Sequence, residues 1–346
     1  EKECANSLGV LTIGADGISN TIELNKGTYF LKETKAGSGY ALDGRTYSFV
    51  NNAGQLDVID VYDEPITPPM ILQKVSGDET ITKNNPNYTF EGIEYTLYSD
   101  EACTKIVDVF KVDKDGSSNE VRALAGTYYL KETKTNPGYA LDTKVYKVTN
   151  NFNRNVFKLK DTPNLGKFQI KKTSSKPEIS DNNEKYYNLE GTEYTVYENS
   201  NATGTVGKFT INKDGNSNVL ELKAGDYYIK ETKNGQGFEL DETIYKLHND
   251  FNLNTLNVQD TPKLGKMKLI KKSSNESITE NNKMYDLSGA EYTVYSEKEQ
   301  KNVVGKLVTD KEGNSNVLEL KAGTYYVKET KTAKNFKLDE TLYTIE

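Results

Sequence analysis

One sequence pattern returns four times along the chain at intervals of about 99 residues. Its clearest copies are GTYFLKETK, GTYYLKETK, GDYYIKETK and GTYYVKETK, which begin at residues 27, 126, 225 and 323. Each copy has a glutamate at the same point: Glu33, Glu132, Glu231 and Glu329. A period of about 20–50 residues indicates a solenoid, whereas this longer period has the length of a small domain. The sequence therefore predicts a tandem array of domains.

The repeat also predicts where each domain begins and ends. We expect domain one at residues 1–65, domain two at 66–164, domain three at 165–263 and domain four at 264–346. By comparison with the complete copies, domain one lacks its first strands and domain four lacks its last strand, so we interpret 1–346 as a window on a longer array. Short proline-containing linkers join the domains, and proline restricts the backbone. We therefore expect stiff joints and an elongated rod.

Within each repeat the pattern is typical of β-structure. Segments such as EYTLY (94–98) and EYTVY (193–197) alternate between apolar and polar positions and are rich in residues that favour strands. Asp-Gly pairs predict hairpin turns, and they lie at Asp16–Gly17, Asp115–Gly116 and Asp214–Gly215. About seven short strands in ~100 residues predict a β-sandwich, so the fold class is all-β.

Composition excludes several classes of function. The net charge is −7, and an acidic chain is a poor partner for nucleic acid. The single histidine, His248, and two cysteines, Cys4 and Cys103, cannot form a Cys/His metal site or a disulfide framework. No apolar run approaches the ~18 residues of a membrane helix. We expect no metal, no cofactor, no membrane span in this segment and no enzyme acting on an external substrate.

The repeated glutamate is the first candidate site residue. Alternate residues of a strand share a face, so Glu132 lies on the same side as Tyr128 and Leu130, which is the predicted core side. A buried carboxylate without a partner is costly, and burial raises its pKa. The alternative is a glutamate at a strand end that reaches solvent or pairs with a surface lysine. Recurrence in all four domains favours the buried position.

The first and last strands supply two further candidates. Met70, Leu72 and Lys74 alternate in the first strand of domain two, and Phe157, Leu159 and Asp161 alternate in its last strand. The same positions in the other domains hold Lys172, Lys271, Asp260 and Asp63. The alternatives are a lysine whose amine reaches water and an aspartate that only makes a turn before Thr-Pro. Only domains two and three contain all three residue types.

Together these features resemble the Cna protein B-type (SpaA-like, prealbumin-like) domains of Gram-positive surface adhesins and pilins. The resemblance rests on the first-strand lysine, the GxEYTxY and GxYYxKET…GY segments and the closing-strand acid, and it covers essentially the whole chain. It implies an immunoglobulin-like or prealbumin-like sandwich in which the lysine and the acid form an intramolecular isopeptide bond. The proton-shuttling catalysts would be Glu132 and Glu231, and the bonded pairs would be Lys74–Asp161 and Lys172–Asp260.

In the incomplete domains, the resemblance makes Glu33 and Glu329 the equivalent glutamates and Asp63 and Lys271 the candidate partners. Amide formation needs a neutral amine and a neutral carboxyl, and burial favours both neutral forms. Because the acceptor here is aspartate, water would leave. The reaction would occur once per domain without turnover.

The function implied by the resemblance is a structural stalk segment of a bacterial cell-surface adhesin or pilin-like fibre. Such a chain is extracellular, anchored to the cell wall or assembled into a fibre, and its partners are neighbouring domains or subunits. The alternative is a surface module whose loops bind a host or matrix ligand. No feature of the sequence identifies such a ligand.

Overall fold

The computed structural model describes residues 3–52 and 54–346. The chain divides into two compact units, Glu1–Asn164 and Leu165–Glu346, and each unit holds two of the four repeats. Regular structure in the described residues consists of strands and three one-turn helices, which confirms the all-β fold class. None of the helices in these residues is long and apolar enough to span a membrane.

The first unit contains domains one and two. Domain one forms one two-stranded antiparallel sheet, from β1 (Gly27–Lys32) and β2 (Thr46–Asn51). Domain two forms two sheets from seven strands. These elements are β3 (Pro69–Ser76), α1 (Glu79–Thr82), β4 (Glu94–Tyr98), β5 (Ile106–Lys111), β6 (Val121–Arg122), β7 (Gly126–Lys134), β8 (Val145–Asn150) and β9 (Asn155–Asp161).

The two sheets of domain two differ in strand direction. The smaller sheet has the order β6-β3-β9, and its first and last strands, β3 and β9, pair in parallel. The larger sheet has the order β5-β4-β7-β8 and is antiparallel throughout. The side chains of Leu72, Tyr95, Leu97, Phe110 and Leu130 are buried and contribute to the core. Alternation has the predicted sense in β3, where Met70, Leu72 and Lys74 are buried and the residues between them are half-buried.

The second unit contains domains three and four. Domain three consists of β10 (Gly166–Ser174), α2 (Pro177–Ser180), β11 (Glu193–Tyr197), β12 (Thr205–Thr210), β13 (Leu220–Leu222), β14 (Gly225–Lys233), β15 (Ile244–Asn249) and β16 (Leu253–Asp260). Domain four consists of β17 (Gly265–Met267), α3 (Glu276–Thr279), β18 (Glu291–Tyr295), β19 (Val303–Val308), β20 (Leu318–Leu320), β21 (Tyr325–Lys331) and β22 (Leu342–Ile345). Domain three repeats the two sheets of domain two, including the parallel pairing of β10 with β16.

The three one-turn helices are additions that the sequence pattern did not predict. Each follows the first strand of its domain and spans four residues. In α1 the side chain of Asp78 accepts a hydrogen bond from the backbone N–H of Thr80 and so caps the turn. A single turn is too short to produce a 3.6-residue periodicity, which is why the pattern missed these helices.

Candidate functional site

Three strands of domain two bring Lys74, Glu132 and Asp161 together. Lys74 lies on β3 and Asp161 ends β9, and the parallel register sets Lys74 opposite Leu159 and Ser76 opposite Asp161. The lysine and the aspartate therefore lie diagonally across neighbouring strands on the same face. Glu132 lies on β7 of the other sheet. Their exposed fractions are 1%, 1% and 2%, so all three ionisable side chains lie in the core.

The contact between the lysine and the aspartate is close. Nζ of Lys74 donates a hydrogen bond to Oδ1 of Asp161 at 2.5 Å, and neither side chain has any exposed surface. Oδ2 of Asp161 and Oε1 of Glu132 are buried and accept no hydrogen bond from any described residue. Buried acceptors without a donor are costly. Protonation of one carboxyl would supply the missing donor and remove a buried charge.

The electrostatics of the site favour neutral carboxyl groups. Burial raises the pKa of Glu132 to about 7, although the backbone N–H of Asp142 partly offsets this effect. Burial also raises the pKa of Asp161, and the hydrogen bond from Lys74 opposes it. In both groups the cost of removing a carboxylate from water is the main cause. Around neutral pH, the glutamate can therefore carry a proton that it can exchange with its neighbours.

Tyr95 is a further site residue, to which the sequence analysis gave no separate role. A bulge in the pairing of β4 with β7 sets Tyr95 directly opposite Glu132. Its hydroxyl accepts a hydrogen bond from Nζ of Lys74 at 2.7 Å, and its ring centroid lies 4.7 Å from the same nitrogen. The tyrosine therefore orients the amine from the glutamate side. The GxEYTxY motif did contain this residue, but strand parity alone gave it no polar role.

A turn that contains a glycine holds the backbone of Lys74 in place. Gly116 belongs to a predicted Asp-Gly turn and has a φ of +89°. Its carbonyl accepts a hydrogen bond from the N–H of Lys74 at 2.7 Å. A Cβ at this position would lie 2.4 Å from the carbonyl oxygen of Lys74. The turn therefore approaches the lysine more closely than any residue with a side chain would allow.

Domain three repeats this arrangement. Nζ of Lys172 lies 2.5 Å from Oδ1 of Asp260 and 3.4 Å from Oε1 of Glu231, and all three side chains are fully buried. The hydroxyl of Tyr194 accepts a hydrogen bond from the same nitrogen at 2.5 Å. Burial raises the pKa of Glu231 to about 7 and also raises the pKa of Asp260.

The adjacent residues Lys171 and Lys172 of domain three have different environments. Lys172 points into the core, whereas Nζ of neighbouring Lys171 donates to the backbone carbonyl of Asp214. Nζ of Lys172 lies close to Oδ1 of Asp260, but the contact does not have the geometry of a hydrogen bond. Oδ1 of Asp260 accepts no hydrogen bond from any described residue. Strand parity had indicated Lys172, and the structure places that residue beside Glu231 and Asp260.

A second motif residue contacts the glutamate in every domain. In domain two, the backbone N–H of Asp142 donates to Oε2 of Glu132 at 2.5 Å, and the hydroxyl of Tyr146 donates to Oδ2 of Asp142 at 2.6 Å. The other domains have the same hydrogen bonds in Glu33–Asp43–Tyr47, Glu231–Asp241–Tyr245 and Glu329–Asp339–Tyr343. These aspartates end a repeated segment, called the GYALD segment below, which reads GYALD at 39–43 and 138–142, GFELD at 237–241 and NFKLD at 335–339.

Domains one and four, as described, bring together only part of the set of lysine, glutamate, aspartate and tyrosine side chains found in domains two and three. In domain four, Nζ of Lys271 lies 2.8 Å from Oε1 of Glu329 and 2.9 Å from the hydroxyl of Tyr292. Burial lowers the pKa of Lys271, but hydrogen bonds with Glu329 and Tyr292 outweigh it and raise the pKa overall. Strand β17 ends at Met267, before Leu269 and Lys271, and among the described residues it pairs only with β20, with no parallel partner like that of β3.

The expected position of Asp63 is corrected by the structure. Alternation predicted a strand ending at Asp63 with its side chain inward, but residues 54–64 form no strand and Asp63 is exposed. Glu33 is half-buried. The closing strand of a complete domain pairs in parallel with the first strand, and domain one contains no counterpart of β3 in residues 3–52. Without that partner, the closing segment does not form a strand.

The surroundings of the site in domain two include a small cleft. It has a volume of about 250 Å3 and is lined by residues 140–143 and 160–162, which include Asp142 and Asp161. Within the described ranges, no group of three or more His, Cys, Asp or Glu side chains is arranged to hold a metal ion.

Comparison with known families identifies the class of domain. The family model described as SpaA, prealbumin-like fold domain, matches four segments: residues 4–65, 77–163, 166–262 and 265–346. Because these matches cover most of the chain, the chain belongs to the SpaA prealbumin-like fold family. The family that the sequence motifs resemble is thereby confirmed.

The chain is also similar to several solved structures. The Bacillus anthracis TIE protein has a TM-score of 0.50 and 21% identity, and the match covers 97% of this chain and 54% of that protein. This chain therefore spans about half the length of the TIE protein. BcpA, the major pilin subunit of Bacillus cereus, has a TM-score of 0.29 and 14% identity, covering 80% of this chain and 94% of that one. A streptococcal ancillary pilin has a TM-score of 0.26 and 15% identity, covering 81% and 95% respectively. No curated protein sequence matches the chain.

Proposed function

We propose that the chain is a stalk segment of a bacterial surface adhesin or pilin-like fibre, and that domains two and three are each stiffened by a self-formed isopeptide bond. One observation carries the proposal. In both domains a fully buried lysine amine lies 2.5 Å from a buried aspartate oxygen, beside a glutamate whose pKa is raised to about 7. Membership of the SpaA family supports the structural role.

The proposed reaction joins Nζ of Lys74 to Cγ of Asp161 and releases one water. The amine nitrogen attacks the carboxyl carbon of the neutral acid, and a tetrahedral intermediate forms. Glu132 gives its proton to the departing hydroxyl and receives one from the nitrogen, so it ends as it began. The buried ion pair contains the same number of protons as the neutral pair, so no external acid or base is needed. Packing supplies a high effective concentration of the two groups.

The bond would change how the domain resists unfolding. Lys74 and Asp161 are 87 positions apart, so the linkage closes a long loop. By analogy with a disulfide, this closure would stabilise the domain by about 4–5 kcal/mol. Because the bond joins β3 to β9, the first and last strands of the domain, tension along the chain would pass through the bond rather than through the strands between them.

This role defines the expected partners and location. We place the chain outside the cell, at the bacterial surface, with neighbouring domains or fibre subunits as its partners. The bond forms once in each domain, so the protein turns over no substrate.

Peptide mapping tests the bond directly. Trypsin digestion of the folded, purified chain should release a branched species in which the peptide containing Lys74 is joined to the peptide containing Asp161. The mass of this species should be lower by one water than the summed masses of the two peptides. A second branched species should join Lys172 to Asp260. Recovery of the four peptides unlinked and at full mass would reject the isopeptide proposal.

A further inference from the structure

Asp142 and its counterpart Asp241 touch the reacting groups of the proposed isopeptide site without being part of the bond. Asp142 contributes two different groups. Its backbone N–H donates to Oε2 of Glu132, which leaves Oε1 as the free oxygen of the glutamate. Asp142 and Asp161 both line the small cleft of domain two. The backbone group orients the glutamate, and the side chain can act on the charge of the site.

The carboxylate of Asp142 is anchored by hydrogen bonds. Oδ2 accepts from the hydroxyl of Tyr146 at 2.6 Å, and Oδ1 accepts from the backbone N–H of Lys144 at 3.0 Å. Asp241 has the same two contacts, with Tyr245 at 2.5 Å and the N–H of Thr243 at 2.9 Å. Hydrogen bonds to a carboxylate favour its charged form.

In domain three these hydrogen bonds change the pKa of Asp241. Burial alone would raise its pKa, but the hydrogen bonds from Thr243 and Tyr245 bring it below the ordinary value. The pKa of Asp241 is therefore lowered, whereas burial raises the pKa of Asp260. The site thus combines two acids whose pKa values are shifted in opposite directions, an arrangement typical of acid–base sites.

The fixed charge acts on the reacting acids. The negative charge of Asp142 contributes to raising the pKa of both Glu132 and Asp161, and that of Asp241 does the same for Asp260. This contribution is smaller than that of burial. The ionisable groups that face one another in domain two are Lys74, Tyr95, Glu132, Asp142, Tyr146 and Asp161. Within this set, the carboxyl group of Asp142 acts electrostatically on both Glu132 and Asp161.

We propose that Asp142 and Asp241 are positioning residues for isopeptide formation, which hold the catalytic glutamate by a backbone hydrogen bond and keep a fixed negative charge beside the reacting carboxyls. This inference rests on the proposed function. It assigns a chemical task to the last residue of the GYALD segment. It also explains why the aspartate occurs together with a tyrosine four positions later in every domain.

The test uses the full chain with Asp142→Asn, which removes the charge but keeps the backbone N–H and an oxygen for Tyr146. Unfolded chains, recovered from inclusion bodies in urea, are refolded by dilution over a range of pH values and quenched with acid. Peptide mapping then gives the rate of bond formation in each domain separately. Domain three serves as an unaltered control in the same molecule.

We expect the upper pH limit for bond formation in domain two to move down by about half a unit to one unit, because a fixed charge that favoured protonation is gone. Domain three should keep its original limit, and Asp241→Asn should reverse the pattern. An unchanged limit in the altered domain, even with a slower rate, would overturn the positioning role and leave the proposed function intact. Failure of the unaltered chain to form either bond would remove both proposals.

Discussion

Lys74 and Asp161 are 87 positions apart in the chain, yet they lie diagonally across two neighbouring parallel strands, because the register partner of Asp161 is Ser76. The side-chain period of a strand is two, so a slip of one residue would turn Asp161 to the outer face. The same offset recurs in domain three, where Asp260 pairs with Ser174. The register of the first and last strands therefore determines whether the two groups can react.

Replacement of the catalytic glutamate should block the bond in its own domain only. Glu132→Gln keeps the shape of the side chain and the contact with the N–H of Asp142, but glutamine cannot shuttle a proton. We expect bond formation in domain two to slow by about 100-fold or more. Peptide mapping measures it, and domain three of the same chain is the control. Equal rates in the two domains would show that Glu132 is not the catalyst.

Bond formation should depend on pH through the glutamates. The pKa of Glu132 and that of Glu231 are about 7, so the protonated, active form predominates below that pH and is lost above it. In the refolding assay, the rate should fall about tenfold for each pH unit well above 7. A rate that rises steadily from pH 7 to pH 9 would show that deprotonation of the lysine is limiting, contrary to this account.

Loss of the tyrosine hydroxyl should slow the reaction without removing the core packing. Tyr95→Phe keeps the aromatic ring and removes the oxygen that accepts from Nζ of Lys74. Because this contact helps to orient the amine toward Asp161, we expect bond formation in domain two to slow by about tenfold. Tyr194, unaltered in domain three, gives the reference rate. No difference between the domains would leave Tyr95 with a packing role alone.

The turn at Gly116, which holds the backbone of Lys74, can be tested with a matched control. Gly116→Ala forces a Cβ to within 2.4 Å of the carbonyl oxygen of Lys74, whereas Gly92→Ala meets nothing within 4 Å although both glycines have a positive φ. Each change costs about 1–2 kcal/mol for the backbone conformation, and only the first adds the clash. We expect Gly116→Ala alone to speed amide hydrogen exchange across residues 69–76 and to slow bond formation. Equal effects of the two changes would contradict the view that the Gly116 turn holds the backbone of Lys74 in place.

Strand periodicity was sufficient to predict the three central residues of the site. The alternation of Met70, Leu72 and Lys74 placed the lysine on the buried face, and burial confirms that placement. The same reasoning placed Glu132 and Asp161 inward. A period of two is a local property of the chain, so it can be obtained from the sequence before any tertiary contact is known.

The residues that the sequence analysis missed depend on contacts that periodicity does not encode. Asp142 precedes a strand and contacts Glu132 through its backbone, so strand periodicity gives it no role although it recurs in every domain. The polar role of Tyr95 depends on a bulge between β4 and β7. The exposed position of Asp63 follows from a missing partner strand, which local alternation cannot detect.

The intact mass of the folded, full-length chain tests the central claim most directly. Two complete sites predict a mass lower than that calculated from the sequence by two waters, and the double variant Glu132→Gln, Glu231→Gln should lack this loss. The measurement is made on chains shown by circular dichroism to be folded. A folded, unaltered chain at its full calculated mass would contradict the account, because it would show that the buried lysines and aspartates remain unlinked.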